Sequence, residues 1–107
     1  MKRAAILLLA LSFNAKAMDA KLMVDIIECE SSGVSTAVGD DAGTVGGVSV
    51  GIMQFQKATF AEMKIKAGHP EWRWKNPIHQ MRLAVWMIEH GYARRWTCFR
   101  KLYKPMD

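Results

Sequence analysis

Histidine and cysteine are scarce in this 107-residue chain, three and two respectively. His69, His79 and His90 do not follow the His-Glu-x-x-His or Cys/His knuckle spacings that hold zinc, so no metal site is expected, and no cofactor. No Gly-x-Ser-x-Gly elbow marks a serine nucleophile, and no Gly-x-x-x-x-Gly-Lys-Ser/Thr run marks a phosphate-cradling loop. The most apolar run, Ala4 to Phe13 broken only by Ser12, falls short of the roughly 20 residues that span a bilayer. No internal repeat, linker or low-complexity tract interrupts the chain, which is long enough for one compact domain.

That short apolar run follows Met1-Lys2-Arg3 and precedes Ala15-Lys16-Ala17. A basic start, an apolar middle and small residues at a cleavage point make a secretory signal peptide, so residues 1–17 are expected to be removed and 18–107 to form the domain. The chain is then exported, periplasmic or extracellular. Loss of Lys2, Arg3 and Lys16 lowers the formal charge from +5 to +2. A modest excess of cations suits an anionic polymer such as a cell wall and argues little for nucleic acid, which is not an expected partner. In an oxidising compartment the lone pair Cys29 and Cys98 is expected to bridge, which would leave neither free as a nucleophile.

The stretch from Glu28 to Gln56 organises the rest. Leu22, Met23, Ile26 and Ile27 recur at helical spacing from Asp19, and Ser31-Ser32-Gly33 should stop that helix. Glu30 therefore sits in its last turn, where the helix dipole disfavours a negative charge and favours a proton donor. Position alone favours a surface Glu at a fraying helix end. Six of the eight glycines lie between 33 and 51. Asp40-Asp41-Ala42-Gly43 reads as a turn, with Thr44-Val45 and Val48-Ser49-Val50 as short strands of a small irregular hairpin.

Further on, Phe60, Met63 and Ile65 mark a second helix over 59–67, ended by Gly68. Asn76 as N-cap, Pro77 in the first turn and Gly91 at the end bracket a third. Its apolar face reads as Ile78, Met81, Ala84, Val85 and Ile88, widened by Leu83 and Met87. A short fourth helical segment runs from Tyr92 to Tyr103. The tryptophans at 72 and 74 suit either sugar stacking or core filling. The alternation of cations and aromatics from Arg94 to Lys104 could meet nucleic acid or an anionic membrane, but a helix burying Trp96 and Phe99 with its cations wet explains it more simply.

Glu30-Ser31-x-Gly33, the glycine-rich gap, Gly51-Ile52-Met53-Gln54, Thr59 and the Asn76-Pro77 helix together resemble the soluble lytic transglycosylase domain, a lysozyme-like family. Cys29-Glu30-Ser31, Gln54-Phe55, Thr59 and Trp96-x-Cys98 also resemble the resuscitation-promoting factor domain, a shortened version of that fold with a disulfide between those cysteine positions. Val34 stands where these families usually carry Asn, and the Tyr-Asn-Ala-Gly motif of the longer members is missing.

The resemblance implies a mostly α, α+β lysozyme-like fold with a minor hairpin after the catalytic helix. It implies cleavage of the β-1,4 bond between N-acetylmuramic acid and N-acetylglucosamine, with Glu30 as acid and then base. Ser31, Met53, Gln54 and Thr59 would bind substrate, Gln54 by donating to a sugar substituent. The implied partners are peptidoglycan glycan strands, with a wall-spanning secretion or conjugation apparatus as a further candidate, and the chain is expected to be monomeric. Two other readings are a catalytically idle glycan-binding module and a hydrolase that uses Asp40 or Asp41 as a second carboxylate.

Overall fold

The computed structural model describes residues 19–39 and 47–103. The expected leader 1–17, the Asp40-Asp41 turn and the Thr44-Val45 strand lie outside them. Residues 19–31 form α1. Its three-four rhythm buries Ile26 completely and packs Leu22, Met23 and Ile27 against the core. The helix stops where Ser32 and Gly33 both turn left-handed, so Glu30 stands in its last turn.

A small antiparallel ladder follows. Strand β1 (Ser49–Val50) pairs with β2 (Phe55–Gln56), Ser49 opposite Gln56 and Val50 opposite Phe55. On the other side of β1 the chain leaving α1 joins through Val38 opposite Val50. Gly39 N–H donates to the Ser49 carbonyl and Gly51 N–H to the Ala37 carbonyl, each at 2.8 Å. The hairpin expected after the acid is present, with Val50 of the expected Val48-Ser49-Val50 strand paired with Phe55. Four residues, Gly51 to Gln54, make the connection.

Helix α2 (Lys57–Lys66) grows directly out of β2, and α3 (Pro77–Glu89) begins at Asn76, whose Oδ1 accepts the His79 N–H at 3.0 Å. Both helices end in the same motif, with the amide two residues past the C-cap reaching back to a carbonyl of the last turn. His69 N–H reaches Lys64 O in α2, and Tyr92 N–H reaches Met87 O in α3. A 3-10 turn (Ala93–Arg95) and the short α4 (Thr97–Leu102) follow.

The core gathers Ile26, Met53, Phe55, Phe60, Met63, Trp72, Leu83, Ala84, Met87 and Trp96. Phe55 is its hinge, edge-on to Phe60 at 5.4 Å and to Trp96 at 5.5 Å. The expected face of α3 is rotated. Ile78 is 50% exposed, while Gln80, Leu83, Ala84 and Met87 point inward, because the innermost position is held by a polar side chain with backbone partners. Ile65 is likewise on the outside of α2, at 61% exposure. Trp72 is buried and Trp74 half-buried with its Nε1 donating to Phe55 O at 2.7 Å, so both indoles serve packing. Cys29 and Cys98 form a disulfide that joins α1 to α4 across 69 residues of chain. By the loop-entropy model such a link is worth about 4 kcal/mol.

Candidate active site

Glu30, half-buried, lines a cleft of about 280 Å³, near the small end of the ~300–1,000 Å³ typical of ligand sites. The ladder contributes Gly39, Ser49, Gln54, Phe55 and Gln56, and α2 adds Thr59. Met87 lies at its base, and the C-terminal segment supplies Arg95, Trp96 and Thr97. Among the described lining residues Glu30 is the only acid and Arg95 the only base; Asp40 and Asp41, which follow Gly39, lie outside the described residues.

The residues expected at the site divide into two groups. Glu30, Gln54 and Thr59 share the cleft. Ser31 and Met53 do not line it; they hold the turn from behind. Ser31 is 8% exposed, and its hydroxyl lies 2.7 Å from Ile52 O and accepts the Gly33 N–H at 3.2 Å. It therefore ties the end of α1 to the Gly51–Gln54 connection. Met53 is fully buried, with its carbonyl accepting Trp96 Nε1–H at 2.9 Å.

Gln54 adopts φ 52°, and that left-handed backbone curls its side chain back onto the turn. Nε2 donates to Ala37 O at 3.1 Å and to Gly51 O at 2.9 Å. Both amide hydrogens are thus engaged by the fold, and Oε1 is the atom suited to meet a ligand, as an acceptor rather than the donor expected.

Gln80 is the residue that sequence reasoning missed. It is fully buried. Its Oε1 accepts Met53 N–H at 2.9 Å, while Nε2 donates to Val50 O at 2.9 Å and Trp74 O at 2.6 Å. One amide thereby fastens the connection, β1 and the Trp72–Trp74 segment to α3. Gly51 permits the approach: at φ 95° a Cβ there would sit 2.3 Å from Gln80 Nε2. A signal was available, since position 80 lies three before Leu83 and four before Ala84 and so must share their face. The cleft residues Arg95 to Thr97 were also missed, although an expected Cys29–Cys98 bridge already brings position 97 beside position 30.

Perturbed ionisations are found where α4 ends against α1. Tyr103 Oη donates to Asp25 Oδ2 at 2.7 Å and Lys21 Nζ approaches the same oxygen at 3.1 Å. These bonds hold the Asp25 carboxyl below its usual range, and in return Asp25 raises both Tyr103 and Lys21. Among the described residues no three His, Cys, Asp or Glu side chains gather as a metal set.

Residues 12–99 match a family model described as Transglycosylase SLT domain, a span that starts within the segment read as a leader. Neither the comparison with curated proteins nor that with solved structures gave a match.

Proposed function

This chain belongs to the transglycosylase SLT domain family, and from that premise we propose that it is a lytic transglycosylase cutting the bond between N-acetylmuramic acid and N-acetylglucosamine in peptidoglycan. The observation that carries the reading is a single carboxylate, Glu30, among the described residues of the cleft. Protonated Glu30 gives its proton to the glycosidic oxygen as the bond to C1 breaks and the muramyl ring gains oxocarbenium character. The substrate's own N-acetyl group assists. The 6-hydroxyl then attacks C1 and returns its proton to the Glu30 carboxylate, closing a 1,6-anhydro ring without water. Gln54 Oε1 and Thr59 are the cleft groups suited to orient sugar hydroxyls and amides, while Ser31 and Met53 act by holding the turn.

Export belongs to the same proposal. Residues 1–17 direct the chain out of the cytoplasm, and 18–107 works as a monomer on the wall, alone or beside a wall-spanning apparatus. Two other outcomes stay in play: a glycan-binding module without turnover, and a hydrolase, for which Asp40 and Asp41 follow the cleft residue Gly39. Purified sacculi with the wild-type protein and Glu30→Gln separate them. Release of anhydro-muropeptides, lighter by one water than hydrolysis products and lost in Glu30→Gln, is the expected result. Retention without release would mean a binding module, and reducing-end products lost in Asp40→Asn or Asp41→Asn would mean a hydrolase.

A further inference from the structure

The cleft pairs one acid with one base among its described lining residues, and the base has no part in the chemistry just described. We infer that Arg95 reads a carboxylate carried on the muramyl side of the glycan, so that the cleft selects anionic strands over neutral ones; this rests on the peptidoglycan reading above.

The guanidinium is delivered by a braced backbone. Arg95 N–H donates to Tyr92 O at 3.0 Å and Trp96 N–H to Ala93 O at 3.1 Å, closing the 3-10 turn. Two positions of this turn are fixed in the interior: Ala93 is buried, and Trp96, which follows Arg95, is buried with its indole bonded to Met53 O, while Arg94 and Arg95 are exposed. Held between these two anchored positions, Arg95 lines the cleft. From α2, Glu62 Oε2 approaches Arg95 Nη2 at 3.2 Å and also lies 3.8 Å from Lys66 Nζ.

That pairing leaves the site usable. Arg95 and Glu62 are both exposed, and an exposed ion pair is worth about 0–1 kcal/mol, so an incoming anion competes with it at little cost. Glu62 engages one nitrogen of a planar fork that presents five N–H donors, a geometry matched to a second carboxylate. The sugar rings of the substrate are neutral, and its carboxylates hang from the lactyl ether of the muramyl residue. They are either the lactyl carboxylate itself, where the peptide has been removed, or those of the attached peptide. Both are the same chemistry at the same side of the chain.

A purely structural Arg95, there only to pair with Glu62, would change stability without regard to the substrate. The test therefore removes the charge from each partner in turn, read as binding so that turnover is not needed. Glycan strands are prepared with peptides intact, stripped to free lactyl carboxylates, and stripped with those carboxylates converted to methylamides. Affinities are measured for the Glu30→Gln protein with and without Arg95→Gln. We expect Arg95→Gln to weaken binding to carboxylate-bearing strands about tenfold and to leave the methylamide strands unchanged. Arg95→Lys should fall between, keeping the charge but losing the fork. A loss confined to intact strands assigns the peptide carboxylates, and a loss confined to stripped strands assigns the lactyl group. Equal loss on charged and neutral strands, or none on either, overturns the inference. Failure of the wild-type protein to release anhydro products would overturn the proposed activity instead, and leaves this binding result standing.

Discussion

Two parts of the cleft are built by opposite means. Its floor is backed by the connection from Gly51 to Gln54, of which Gln54 lines the cleft, and this connection is held by buried or part-buried hydrogen bonds: Gln80 on Met53 N–H, Ser31 on Ile52 O, Trp96 on Met53 O. Its C-terminal wall, from Ala93 to Tyr103, is anchored through Trp96, Ala93, the partly buried Phe99 and the disulfide, with its polar side-chain contacts, such as Arg95–Glu62 and Tyr103–Asp25, exposed. Buried bonds cannot be traded for water without leaving polar atoms stranded, whereas exposed ones exchange with solvent at little cost. A lysozyme-like domain of this size thus keeps its turn rigid by polar packing and its wall in place by a covalent clip.

Removing the clip should have the largest effect. Cys29→Ser with Cys98→Ser is expected to cost about 4 kcal/mol in chemical denaturation. Hydrogen exchange sharpens the contrast: amides from 97 to 103 should lose protection, while the Met53 amide, held by Gln80, should exchange only with global unfolding. If both regions loosen together, floor and wall are not separately built.

Next comes Gln80→Leu, which strands Met53 N–H, Val50 O and Trp74 O in the interior and should cost about 3 kcal/mol. It should also weaken activity by loosening the turn beside Gln54, with the disulfide intact. Little loss of stability would show that the floor is held by apolar packing after all.

The smallest effect is a pH limb confined to the wall. Asp25 is held low by Tyr103 and then Lys21, so its contribution is complete above about pH 3.9, the ordinary Asp value, and fades as pH falls through its lowered native value. Tyr103 and Lys21 are raised, so their contributions are complete below their ordinary values near 10 and fade as pH rises through the raised ones. Protection of the α4 amides followed across pH should show both limbs, and Asp25→Asn should flatten them while leaving the floor amides unchanged.

Much of this was legible in the chain. The stop after Glu30, the Asn76-Pro77 start of α3 and the pairing of the two cysteines rest on local chemistry or a count of two, and each holds. What misled was periodicity read by hydrophobicity alone. Ile78 looked like core and Gln80 was not singled out, yet the helix turns Gln80 inward, because three backbone groups need an amide there more than α3 needs one more apolar contact. Gln54 was legible as a cleft residue but not as one with engaged donors, since nothing local announces a left-handed backbone at a glutamine.

By itself the amino-acid order determined where helices begin and end and which residue types surround Glu30, because capping, glycine and helical spacing act over a few positions. Only the tertiary structure decided that Arg95 to Thr97 wall the cleft and that Gln80 locks its floor. Gln80 meets Met53 across 27 positions and Trp96 meets it across 43, and no local propensity specifies which distant groups a buried amide or an anchored turn will meet.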